Sequence, residues 1–114
     1  MAIPEFQRQR IQRTLQAYCA DLPVHARSQV RLGFTISPSA VELFEERPPW
    51  DAPKQPWIKH PIAKFRYVAT REVWELYSVR RDLKWHRYPL LASARGFAAL
   101  LAEVERDPIC VFWG

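Results

Sequence analysis

The chain has 114 residues, one domain's worth, which leaves no room for separate catalytic and cofactor domains. Seventeen Lys and Arg against twelve Asp and Glu give a net charge of +5, and a hydrophobic fraction of 48 % excludes an intrinsically disordered chain. Three glycines weigh against a glycine-rich phosphate loop, while ten prolines and five tryptophans are the unusual features.

In chain order, Ile3 to Leu22 places Phe6, Ile11, Leu15, Cys19 and Leu22 at intervals that suit one face of a helix, with Tyr18 beside them. Arg8, Arg10 and Arg13 take the other face; Pro4 suits the first turn and Pro23 stops the helix. Ser28 to Ser37 alternates, with Val30, Leu32, Phe34 and Ile36 on one side, and reads as a half-buried strand. Pro38-Ser39-Ala40 turns it into a second strand, Val41 to Arg47. Pro48 to Pro61 holds five prolines with Trp50, Trp57 and His60, and reads as a long loop. Ile62 to Ala69 and Val73 to Arg80 form a second hairpin, Leu83 to Tyr88 continues as a further strand, and Pro89 ends it. Ala94, Phe97, Ala98, Leu101 and Val104 mark a second amphipathic helix with Ser93 as its N-cap. Asp107-Pro108 ends that helix, and Ile109 to Trp113 reads as a short terminal strand. The expectation is a single α+β domain over residues 1–114. It has an antiparallel meander sheet of about four to five strands, with the N-terminal and C-terminal helices packed on one face.

No stretch of ~18 apolar residues exists, so no transmembrane helix is expected. Met1 to Arg13 carries three arginines and no apolar run, unlike a secretory signal, and neither end shows a lipidation signal. Cys19 and Cys110 are far apart and lack CxxC spacing, so two reduced, packed thiols in a cytoplasmic protein are expected.

The second hairpin can be given a register. If Val68 faces Val73 across a four-residue loop, then Tyr67 faces Trp74, Arg66 faces Glu75 and Lys64 faces Tyr77. The same logic applied to Val79 and Lys84 places Tyr77 opposite His86 and Glu75 opposite Tyr88, with Trp85 joining the core side. The polar side of the sheet is then Lys64, Arg66, Glu75, Tyr77, Lys84, His86 and Tyr88. Residues 61–88 carry seven Lys and Arg against three acids, so the basic charge concentrates there and on the first helix. Basic side chains beside exposed rings suit a nucleic acid or another polyanion, because the cations neutralise phosphates and the rings stack on unpaired bases. Trp50 and Trp57 border this candidate binding face from the proline-rich loop; the bland alternative is that they cap the core.

Asp82-Leu83-Lys84 has the D-x-K form of some Mg²⁺-dependent nucleases, in which two carboxylates hold the metal and the Lys steadies developing charge. Glu75, Glu45, Glu46 or Asp51 would be the second carboxylate, although Asp is also expected at a turn for local reasons. His25, His60 and His86 lack metal-ligand spacing, no serine sits in a nucleophile elbow, and no cofactor is expected.

The strings VELFEERP with Trp50, His60-Pro61, Ala63-Lys64, Tyr67-Val68, Trp74, DLKWHRY over 82–88, Asp107-Pro108 and the ending Phe112-Trp113-Gly114 resemble the bacterial family catalogued as domain of unknown function 3024. The resemblance covers nearly the whole chain, DLKWHRY being its most specific part. It implies a small stand-alone bacterial protein and transfers no catalytic role. Ser78 departs from the aromatic residue the family pattern leads one to expect after Tyr77. These residues support three functional expectations. The lead is a non-enzymatic module binding nucleic acid or another polyanion through Lys64, Arg66, Tyr77, Lys84, His86 and Tyr88. The alternatives are a Mg²⁺-dependent phosphodiesterase using Asp82, Lys84 and Glu75, and a protein-interaction or homodimer module using the last strand and the Pro/Trp loop.

Overall fold

The computed structural model describes residues 2–21, 30–49, 51 and 56–113. Its elements are α1 (Glu5–Ala20), β1 (Arg31–Ile36), β2 (Ala40–Arg47), β3 (Ile58–Val68), β4 (Val73–Val79), β5 (Trp85–Arg87), β6 (Ser93–Ala94) and α2 (Phe97–Arg106). This is the expected α+β fold: β1 to β5 follow one another as antiparallel neighbours, and β6 adds a short sixth strand against β4.

The inner face of the sheet is apolar by alternation. Val41, Leu43, Phe65, Tyr67, Trp74 and Leu76 are buried there with Ile11 and Leu15 of α1 and Phe97, Leu100, Leu101 and Val104 of α2. The Phe97 ring bridges the layers, its centroid 4.6 Å from Phe65 and 5.4 Å from Trp74. Tilted and edge-on rings at these separations add to the burial term. The α1 stripe is narrower than its sequence pattern suggests, because Phe6 is exposed and only Ile11 and Leu15 are buried. Ile3 ahead of the helix is buried, and its N–H donates to the Pro38 carbonyl at 2.7 Å, tying the N-terminal segment to the β1–β2 turn. Leu22, Pro23, His25, Ser28 and Trp50 lie outside the described residues.

Local chemistry explains the turns. At the β1–β2 hairpin Ser37 Oγ accepts the Ala40 N–H at 3.1 Å, a side chain substituting for a turn bond. β3 begins at Ile58, so the strand takes in His60 and Pro61, which the proline-rich pattern assigns to the loop. The pairing slips there: Leu43 faces Ala63 while Phe44 faces Pro61, leaving Ile62 as the extra residue of a bulge. Pairing with β4 starts only at Ala63, so the missing N–H of Pro61 interrupts no ladder on that side.

The β3–β4 register is the expected one, from Val68 opposite Val73 to Lys64 opposite Tyr77. The β4–β5 register differs by one residue: Val79 faces Trp85, Ser78 faces His86 and Tyr77 faces Arg87. The loop is the cause. The Leu83 N–H donates to the Arg80 carbonyl at 2.8 Å, the Arg80 N–H to the Lys84 carbonyl at 3.3 Å, and Leu83 is left-handed at φ 62°. A turn followed by one left-handed residue is the three-residue hairpin connection, and it absorbs Lys84 into the loop end. Every β5 side chain therefore changes face relative to expectation.

Two further corrections concern the C-terminal third. Ser93 does not cap α2 but pairs with Glu75 as part of β6, and the helix starts at Phe97 after Gly96. Ile109 to Trp113 forms no strand. Asp107, left-handed at φ 44°, closes α2, and its carboxylate accepts the N–H groups of Val111, Phe112 and Trp113 at 2.8, 3.1 and 2.8 Å. An anionic acceptor for three amides wraps the segment back onto the domain, where Phe112 packs on Tyr88. The C-terminal strand edge anticipated as a partner surface is therefore not formed.

Candidate polyanion-binding face

Side chains that alternate away from the core form the outer face. Register places Thr35, Glu42, Lys64, Tyr77 and Arg87 in one row across the sheet, with Ala40, Arg66, Glu75 and Ser93 in the next. Glu75 is the centre of the second row. It is only 5 % exposed, yet three arginines reach it. Arg71 Nη2 and Arg87 Nη1 lie 3.1 and 3.0 Å from Oε2, Arg66 Nη1 lies 3.7 Å from Oε1, and the Tyr77 hydroxyl donates to Oε1 at 2.8 Å. Each arginine comes from a different element: β3, the β3–β4 loop and β5. Their side chains remain 57 %, 60 % and 46 % exposed for Arg66, Arg71 and Arg87.

One buried carboxylate needs compensation, because an uncompensated charge out of water is costly. A single guanidinium would supply it. Three leave an excess of two positive charges at the surface, in fixed positions.

Lys64 and Arg66 keep their expected places on this face, and Tyr77 stands half-buried between the Glu75 carboxylate and the Arg87 guanidinium, 5.8 Å from its ring centroid. Tyr88 does not belong to the face. The register shift turns it inward, where it is fully buried and its hydroxyl donates to Glu103 Oε2 at 2.7 Å. Burial first, and then the hydrogen bond and charge of Glu103, push its hydroxyl pKa up to about 12. Trp85, expected in the core, moves the opposite way: it pairs with Val79 on the outer side and is half-buried. His86 is opposite Ser78 on the inner side at the sheet's end, and its Nε2 meets Asp82 Oδ2 at 2.8 Å. Lys84 lies exposed in the loop end rather than on the strand.

The D-x-K string resolves into turn chemistry. Asp82 Oδ1 accepts the Lys84 backbone N–H at 3.0 Å while Oδ2 holds His86. These bonds, the backbone one foremost, hold its carboxyl below the usual carboxylate range. Glu75 is not brought to it: ~13 Å of strand separates Glu75 from Val79, and Asp82 lies beyond. Glu45 is ion-paired with Arg47 at 3.2 Å. Among the described residues no group of three or more His, Cys, Asp or Glu is gathered as a metal site. Cys19 is half-buried, and burial raises its thiol pKa; Cys110 is exposed rather than packed, and both are free thiols.

The far end of the outer face carries a second basic and aromatic group. Phe44 lies over Gly33, where an added Cβ would come within 2.6 Å of its ring, and Lys59 Nζ sits 4.2 Å above the Phe44 centroid. Trp57 stacks under Arg31, whose Cζ is 3.8 Å from the ring centroid. Trp57, just ahead of β3, lies roughly 30 Å from Arg66 at ~3.3 Å per strand residue. Arg71, Arg87, Arg31, Lys59 and Phe44 were not singled out from sequence. Arg71 sits in a turn that alternation does not reach, and Arg87 depends on the loop length that sets the β5 register.

Fold and face together define the class: a small α+β protein whose sheet is packed by helices on one side and bears clustered arginines on the other. The family model described as Domain of unknown function (DUF3024) matches residues 3–114, and the chain belongs to that family. No curated protein and no solved structure matches the chain. No helix among the described residues is long and apolar enough to cross a membrane.

Proposed function

We propose that the chain is a non-enzymatic binding module whose outer sheet face contacts nucleic acid through its phosphates. The observation that carries this reading is the convergence of Arg66, Arg71 and Arg87 on one buried carboxylate, with two positive charges in excess. Lys64 and Tyr77 extend the cluster along the sheet. Exposed guanidiniums supply planar donors for phosphate oxygens, and half-exposed rings supply stacking surface for unpaired bases. Trp57 with Arg31 continues both chemistries toward the other end, where Lys59 over the buried Phe44 ring adds a further positive charge. Asp82, Lys84 and His86 form a hydrogen-bonded loop turn at the margin of the face.

The test is fluorescence anisotropy with a single-stranded oligonucleotide over a salt series. Binding should be present at ~50 mM salt and weaken linearly in log–log form, by ~0.7 per phosphate neutralised. Arg66→Ala and Lys64→Ala should each lower that slope. Absence of binding at ~50 mM salt, where phosphate contacts are strongest, overturns the proposal.

A further inference from the structure

We infer that Arg66, Arg71 and Arg87 form a site for a phosphate monoester dianion, with the terminal phosphate of a nucleic-acid strand as its favoured source. The inference rests on the binding reading above for that source, and on geometry for the site itself. The three guanidiniums lie within 3.0 to 3.7 Å of the same carboxylate. Their heads are therefore neighbours, held by a residue that is itself nearly buried. Arg87 is anchored a second time, by Nη2 donating to the Ala92 carbonyl at 3.2 Å. Tyr77 fixes the other carboxylate oxygen. Each arginine still has N–H donors directed to solvent, since about half of each side chain is exposed.

Charge selects the ligand. Three guanidiniums against one carboxylate leave +2 at the cluster, which matches the −1.5 to −2 carried by a monoester at about pH 7 rather than the single charge of a backbone diester. A phosphate group offers three acceptor oxygens, suited to several forked donors at once. The Tyr77 ring beside the cluster offers a stacking surface for the terminal base. Glu75 acts as the positioning residue: it holds like charges together before the ligand arrives, so less ordering remains to be done on binding.

The test compares one oligonucleotide with a 5′-phosphate, with a 3′-phosphate and with hydroxyls at both ends. Inorganic phosphate is titrated separately while the arginine Nε–Hε resonances are followed. A terminal phosphate should tighten binding about tenfold, the return of one forked guanidinium–phosphate contact. Arg71→Gln and Arg87→Gln should abolish that gain, whereas Lys59→Gln, at the far end of the face, should keep it. Inorganic phosphate should shift the resonances of all three arginines. Equal binding of the phosphorylated and hydroxyl strands, with those resonances unmoved by phosphate, overturns the site and leaves the general phosphate-backbone reading standing. Arginine resonances that respond to phosphate while no oligonucleotide binds support the site, assign it to a small phosphomonoester, and overturn the nucleic-acid reading.

Discussion

Removing the arginines around Glu75 one at a time and then together should give strongly non-additive stability losses. The carboxylate is 6 % exposed at the side chain, whereas Arg66, Arg71 and Arg87 are 57 %, 60 % and 46 % exposed. Any one guanidinium that is lost leaves two to compensate Glu75, and half-exposed ion pairs contribute only ~0.2–1 kcal/mol each. Each single Arg→Ala variant should therefore cost less than about 1 kcal/mol. With all three gone, the carboxylate keeps, among the described residues, only the Tyr77 hydroxyl at 2.8 Å. A stranded buried charge costs ~3–5 kcal/mol, so the triple variant should fall by more than the three singles combined. For a domain of this size that is a Tm loss of roughly 12–20 °C. Adding Glu75→Gln to the triple variant should recover about half, because a neutral amide costs less to bury. Urea and thermal unfolding followed by circular dichroism measure all five variants against the wild type. A triple variant that loses no more than the sum of its singles, with no recovery from Glu75→Gln, would refute the view of Glu75 as a buried charge held by its neighbours.

Three other perturbations probe the frame that presents the face. Tyr88→Phe deletes the buried hydroxyl bonded to Glu103 at 2.7 Å, and should cost about 1.5–3 kcal/mol in chemical denaturation. The same hydroxyl has a folded pKa raised to about 12, so its contribution is present below ~10, the unfolded value, and is lost as pH rises from there through 12. The wild-type Tm should fall across that window more steeply than that of Tyr88→Phe, and parallel curves would count against the assignment. Gly33→Ala pushes a methyl to within 2.6 Å of the Phe44 ring, and should destabilise by ~1–3 kcal/mol while displacing Lys59 from that ring, visible as shifts of the Lys59 and Phe44 resonances. Asp107→Ala removes the acceptor of three amides, so hydrogen-exchange protection should vanish at Val111, Phe112 and Trp113 and survive in the sheet; unchanged protection there would contradict the hydrogen-bonding scheme.

The sequence by itself determined the α+β class, the meander order and the register of β3 against β4. These follow from quantities local to the chain: alternation with period two, a helical stripe through Ile11 and Leu15, and a hairpin loop of four residues. It also placed Lys64, Arg66 and Tyr77 together and paired Arg66 with Glu75. The tertiary structure alone decided where β5 points. One residue of loop length, set by Leu83 adopting a left-handed conformation that no glycine or asparagine announces, sends Tyr88 to the core and Arg87 to the outer face. Likewise Asp107 reads as a helix stop in sequence, and only the fold reveals it as the acceptor that turns the last residues back onto Tyr88. The arginine cluster belongs to the same category. Arg66, Arg71 and Arg87 come from separate elements and meet only because a buried carboxylate lies where their reaches intersect, which no periodicity along a single segment encodes.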